Sequence, residues 1–414
     1  MSDMHGAKNL LALASSLAES LAATAVVSAD QCTWLTATVD LSSGERRILH
    51  RTGDPSLYQG DAGIAWALAH ASRALDRSDL GALARAGARC ALRRASSCAG
   101  PGLHDGTSGV ATAALQVAAV LDDPVLRRDA IDLLSEAATS QPSGSDIITG
   151  AAGSLLAMLS AHEQTNDLRW LDRAVALGKA VVDGAQRLAW GWCWPAGEER
   201  EPGLCGLAHG AVGVAWALEE LHQLTGDERF RLAANHALRY ERSWFDRRRS
   251  NWPDLRVGVG ATDGAPCFES WWCHGAVGEG LVRLRLHALG RSDPAILAEA
   301  GAAFQCALDE AINSIDAAEA PIHGLTLCHG LGGTVELFLM AHAVLGEQEH
   351  LVTARWILDR ALAALGDDAE RWPDGLGTAS AAPGLMTGAA GALTVLLRAI
   401  APTSIPSAVL FPRA

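Results

Sequence analysis

The chain has 414 residues, 49% hydrophobic and 5% aromatic, and its 33 Lys and Arg against 47 Asp and Glu give a formal net charge of −14. No basic stripe breaks this balance: the densest cluster, Arg247 to Arg249, is three residues in a polar loop, which argues against a nucleic-acid partner. Nine cysteines, an odd number without the dense spacing of a disulfide scaffold, fit a reducing compartment, and no uninterrupted apolar run reaches the roughly 20 residues a bilayer requires.

The first periodic element is Asn9 to Ala29, where Leu10, Leu13, Leu17 and Leu21 recur at helical spacing. Glu19 interrupts the run and no basic cluster precedes it, so it reads as a surface helix closing the fold and not as a signal peptide. A cytoplasmic protein is expected.

From Gly60 onward a short pattern, Gly-x-x-Gly leading into a small or apolar helical run, recurs seven times. Its glycine pairs are Gly60/Gly63, Gly106/Gly109, Gly150/Gly153, Gly210/Gly213, Gly275/Gly278, Gly330/Gly333 and Gly388/Gly391. Successive first glycines stand 46, 44, 60, 65, 55 and 58 residues apart, room for two average helices and their connections. The first glycine is expected to take a tight turn that other residues resist, and the second to let neighbouring helices approach. More polar stretches between the turns, such as Asp167 to Gln186 and Asp227 to Glu241, suit an outer layer. The fold class is therefore all-α: an α,α-toroid, or double-layered helical barrel, of seven helical-hairpin repeats. It spans residues 1–414 as one domain, with a repeat core over about 57–398. An open solenoid, the alternative, would need polar caps at both ends. Two stretches break the rhythm, Trp190 to Gly206 and Asp246 to Trp272, and read as functional loops over one end of the ring.

The two residues before each first glycine are Tyr58-Gln59, His104-Asp105, Ile148-Thr149, Ala208-His209, Cys273-His274, Cys328-His329 and Met386-Thr387. If all the turns lie at one end, these side chains meet at the mouth of the ring. Thiolate and imidazole are ligands that Zn²⁺ prefers, and a catalytic zinc keeps one position open. The shared offset of Cys273 and Cys328 sets them apart from Cys32, Cys90, Cys98 and Cys306, which read as packing residues. Cys193, Cys205 and Cys267 lie outside the repeat frame and read as structural.

Trp272-Cys273-His274-Gly275-Ala276-Val277-Gly278 and Leu327-Cys328-His329-Gly330-Leu331-Gly332-Gly333 resemble the two zinc motifs of lanthionine synthetase C-like cyclases. Gly206 to Gly213 resembles the family's histidine motif, Asp146 to Gly153 its aspartate motif and Gly384 to Gly388 its last repeat. The likeness runs from about Leu57 to Arg398. Cys-His-Gly at the first zinc motif is nearest to the cyclase domains of the bifunctional class II synthetases; stand-alone class I cyclases usually carry Tyr at the position of His274. The resemblance implies one zinc ion per chain, held by Cys273, Cys328 and His329, with His209 as the catalytic histidine and Asp146 as its aspartate. It also implies addition of peptide cysteine thiols to dehydroalanine or dehydrobutyrine, forming thioether rings. Asp146 could orient His209, or could be only a helix cap. Glu269 stands where class I cyclases place an Arg, so that residue's role does not carry over; His274 could fill part of it, or serve in packing.

Two other readings compete. A glycosidase, hosted by similar toroids, needs two carboxylates flanking its substrate, yet these turns gather Cys and His. A zinc-containing protein that binds thiols or peptides without catalysis, as glutathione binding by some eukaryotic relatives suggests, would keep the ligands but could dispense with His209. Only 57 residues precede the Tyr58-Gln59-Gly60 turn, too few for a dehydrating domain. The expected partner is a precursor peptide already dehydrated by separate enzymes or other domains.

Overall fold

A computed structural model of the chain describes residues 2–29, 31–40, 47–195, 203–256, 266–317, 323–376 and 382–412. The chain opens with helix α1 (Ser2–Ala23). Two short antiparallel hairpins follow, β1 (Val26–Ser28) with β2 (Gln31–Thr33) and β3 (Leu35–Asp40) with β4 (Arg47–Thr52). Six helix pairs come next: α2 (Asp61–Ala74) with α3 (Ser78–Arg94), α4 (Thr107–Leu121) with α5 (Pro124–Thr139), and α6 (Ala151–Thr165) with α7 (Leu168–Asp183). After the hairpin of β5 (Gln186–Leu188) and β6 (Gly191–Cys193) stand α8 (Ala211–Thr225) with α9 (Glu228–Trp244), α10 (Ala276–Ala288) with α11 (Pro294–Asp316), and α12 (Leu331–Leu345) with α13 (Gln348–Leu365). A single helix, α14 (Ala389–Ile400), ends the series.

Each glycine-led run is thus the first helix of a repeat, and these seven pack side by side in a closed inner ring, α14 touching both α12 and α2. Their composition explains the placement. In α12 every residue from Leu331 to Ala341 is buried, as a helix enclosed on all sides requires. The intervening helices form the outer layer and bury one stripe: in α9, Phe230, Ala233, Ala234, Ala237 and Leu238. Asp caps start several of them, as at Asp167 and Asp227. Gln186, expected at the end of such a helix, instead begins β5.

The seventh inner helix has no following partner in sequence. Helix α1 supplies it, packing Leu10, Leu13, Leu17 and Leu21 inward against α14. Seven helical hairpins therefore close a double-layered α,α-toroid. Among the described residues no helix is long and apolar enough to cross a membrane.

A belt of backbone hydrogen bonds joins each turn to the next. Tyr58 N–H donates to His104 O, His104 to Ile148, Ile147 to Ala208, Ala208 to Cys273, Trp272 to Cys328, Cys328 to Met386 and Met386 back to Tyr58, at 2.8 to 3.2 Å. The tail after α14 returns into the ring: Val409 O accepts from Trp272 Nε1, Ser407 from the same tail donates to Glu336, and Phe411 packs on Trp66.

The glycines work differently from the expectation. Six of the seven first glycines have ordinary negative φ; only Gly275, at φ +92°, needs the left-handed region. The usual reason for glycine here is space, because a Cβ on Gly150 would run into the backbone of Asp146 in its own turn. The second glycines also answer crowding at the turns more than helix approach: a Cβ on Gly153 would strike Ile147 O of its own turn and the side chain of Leu103 in the neighbouring one.

Of the two irregular stretches, residues 196–202 and 257–265 lie outside the described residues. The described part of the second is pinned by bridges of Asp246 to Asn251 and Asp254 to Cys267, with Trp252 buried against Phe245.

Candidate metal centre and active site

The belt brings the turns to one end of the ring, and with them the side chains just before each first glycine. Cys273 and Cys328, buried on adjacent turns, and His329 place their ligand atoms within 4.8 Å of one another. His329 Nδ1 donates to Gly375 O at 3.0 Å, so its Nε2 is the nitrogen left with a lone pair. Trp271 stands edge-on to the His329 ring, centroids 4.8 Å apart. Tyr58 neighbours the Cys328 thiol.

The two thiols titrate as a pair. A hydrogen bond with Cys328 holds Cys273 well below the ordinary thiol range, against burial and with help from neighbouring His329, while burial holds Cys328 up. Burial disfavours charge on His329, but the neighbouring Cys273 thiolate outweighs it and raises its pKa. Two buried sulfurs and one half-buried imidazole nitrogen fit a soft divalent cation. The set can hold one metal ion.

His209 and Asp146 form a second unit. His209 Nδ1 lies 2.7 Å from Asp146 Oδ2, and the side chains are 35% and 21% exposed, open enough to meet a substrate. Asp146 Oδ1 accepts from the backbone N–H groups of Thr149 and Gly150, both at 2.8 Å. Although burial opposes it, these bonds and His209 keep the Asp146 carboxyl below its ordinary range. An ionised Asp146 makes Nδ1 the protonated nitrogen of neutral His209 and leaves Nε2 as base. The cap and the orienting role, alternatives in the sequence, are both present.

His274 joins the two units. It is buried, its ring stacks near His209 with centroids 6.1 Å apart, and its Nδ1 donates to Cys205 O at 3.0 Å. Burial lowers its pKa, so it is a neutral neighbour of the cluster. His104, by contrast, packs edge-on to Trp272 and is pushed down to about 3 by burial, while Asp105 is raised to about 6 by burial and then by Asp54. The cysteines expected to be structural lie apart from the cluster's ligand set: the Cys205 thiol neighbours Glu241, Cys193 faces Gln186 and Cys267 faces Glu269. Cys32, Cys90 and Cys306 are buried, whereas Cys98 is partly exposed; all nine are free thiols.

The chain matches the family described as "Lanthionine synthetase C-like protein" over residues 51–410. It belongs to the lanthionine synthetase C-like family. Among solved structures, nisin cyclase superposes with a TM-score of 0.60 at 18% identity, covering 85% of this chain and 90% of that one. An α-mannanase of glycoside hydrolase family 76 from Bacteroides thetaiotaomicron gives 0.52 at 10% identity, covering 94% and 95%. At such identities these likenesses are of fold, and the fold is of the lanthionine cyclase type. No curated protein matches the chain in sequence.

Three features of this family member escaped the sequence. Tyr58 shares the offset of the two cysteines but drew no role, and the Gly375 carbonyl carries no side-chain signal at all. Arg256 sits in an irregular stretch with no periodicity; its guanidinium pairs with buried Asp254, which lies 3.8 Å from His274. A shared Asp-x-Arg spacing with Asp227 and Arg229 was the one visible hint.

Proposed function

We propose that the protein is a zinc-dependent lanthipeptide cyclase, adding peptide cysteine thiols to dehydroalanine or dehydrobutyrine to close thioether rings. The observation that carries this reading is the pairing, in one mouth, of the Cys273–Cys328–His329 set with the His209–Asp146 unit. Family membership supports it.

A zinc ion held by Cys273, Cys328 and His329 supplies Lewis acidity that favours the thiolate form of a substrate cysteine. His209, its Nδ1–H tied to Asp146, presents Nε2 to take the thiol proton, and the resulting imidazolium is stabilised by the ionised carboxylate. The same nitrogen can return a proton to the α-carbon once the β-carbon has accepted sulfur, so one residue serves both halves of the addition. His274 stacks near His209, ring centroids 6.1 Å apart. The substrate on this reading is a peptide already dehydrated elsewhere, acted on in the cytoplasm. A glycosidase would centre on paired carboxylates; here thiols and imidazoles occupy the centre.

The test is to incubate the protein with a peptide carrying dehydroalanine and cysteine and to count free thiols by alkylation, because ring closure leaves mass unchanged. Wild type should consume thiols. His209→Ala should keep its metal yet lose about 10²- to 10⁴-fold in rate, the usual contribution of a general acid–base group. Peptide binding without thiol loss in the wild type would instead mark a non-catalytic thiol- or peptide-binding protein.

A further inference from the structure

Resting on that reading, the addition must put negative charge somewhere. The S–C bond forms at the β-carbon, the C=C π bond breaks, and its electron pair moves to the α-carbon and the adjoining carbonyl oxygen. The thiol gives up one proton and the α-carbon takes up one, so the peptide neither gains nor loses atoms. A cation placed at the carbonyl oxygen acts only while that charge exists and so lowers the barrier. Position 269 cannot supply it: Glu269 is itself a carboxylate, facing the Cys267 thiol at 3.1 Å.

The described loop after Trp252 brings a cation from elsewhere. Arg256 grips Asp254 with Nε 3.0 Å from both carboxylate oxygens and Nη2 2.6 Å from Oδ2. The Asp254 side chain is fully buried, its N–H is pinned to Cys267 O at 2.8 Å, and its Oδ1 lies 3.8 Å from His274. This clamp sets the guanidinium on the carboxylate beside His274, the residue that follows Cys273. The Arg256 side chain stays 36% exposed, and Nη1 has no hydrogen-bond acceptor among the described residues. We propose that Arg256 is the anion-stabilising residue of this site, donating from its guanidinium to the carbonyl oxygen of the dehydro residue as charge collects there, with Asp254 as its positioning residue. The fork geometry suits the task, since two nitrogens are fixed while a third remains to donate.

The experiment uses full-length, metal-loaded protein, a peptide with one dehydroalanine and one cysteine, and an unreactive phosphinate analogue that carries a fixed negative charge at the carbonyl position. Arg256→Gln should lower kcat about 10²- to 10³-fold with little change in KM. It should also weaken the analogue, measured by calorimetry, by about tenfold or more, with metal content unchanged. Arg256→Lys, which keeps the charge and loses the fork, should fall between. Because Arg256→Gln leaves Asp254 buried without its partner, the neutral pair Asp254→Asn/Arg256→Gln controls for folding and should show the same loss of kcat and analogue affinity. If wild type cyclises and both variants keep kcat and analogue affinity, the role of Arg256 is overturned and the cyclase reading stands. If wild type fails to cyclise yet binds the analogue through Arg256, the cyclase reading falls and the anion site stands; if it does neither, both fall. Loss of metal or fold in the neutral double variant would make the pair a loop staple and overturn the proposal.

Discussion

Asp146 shows how one side chain can satisfy a structural and a chemical demand at once. Its Oδ1 closes the turn before α6 while Oδ2 holds His209, so the orientation of the histidine is fixed by backbone geometry. Cys328 divides its work similarly: its backbone N–H and O belong to the belt, and its thiol belongs to the metal set. Cys328→Ala should therefore strip the metal, by elemental analysis, while circular dichroism stays that of the wild type. Full zinc occupancy in that variant would sink the ligand assignment. Cys273, Cys328, His329 and His209 were legible because each stands at a fixed offset from a repeated glycine, and repetition turns a weak local signal into a strong one. Asp254 and Arg256 had no such frame. Their pairing depends on where an irregular loop lands, which one sequence does not reveal.

Helices α2 to α14 alternate between two kinds of surface, and the alternation is visible in composition: small and apolar all round inside, a single apolar stripe outside. Helix α1 carries the outer kind of stripe but lies at the far end of the chain from α14. Its leucine spacing announced a helix that closes the fold, while the identity of its partner required the ring to be seen. Leu17 is 1% exposed in that contact. Leu17→Ala should cost about 2–5 kcal/mol, read as a lowered midpoint in urea unfolding. A change below about 1 kcal/mol would mean that α1 is a dispensable wrapper, not the outer half of the seventh repeat. The first glycines differ from the expectation because Gly at a turn signals special φ or crowding equally well, and sequence does not separate the two.

On the scale of the whole ring, the tail after α14 ties distant repeats together through Trp66, Trp272 and Glu336. Phe411 is 2% exposed, and Phe411→Ala should cost about 3–5 kcal/mol, measured by calorimetric or denaturant unfolding. An unchanged midpoint would show that the tail is merely laid on the surface. Nothing in the tail's short apolar run foretold this, since burial there depends on the cavity that the other elements leave. The belt adds a consequence in time. Met386 N–H bonds Tyr58 O, and Cys328 N–H bonds Met386 O. The first of these links joins residues separated by most of the chain's length, a contact that a folding chain makes slowly. The metal set lies to one side of this seam, its three residues on the adjacent fifth and sixth turns. A chain whose first and last turns have not yet met already carries all three ligand residues on neighbouring turns, so metal capture does not have to wait for the ring to close.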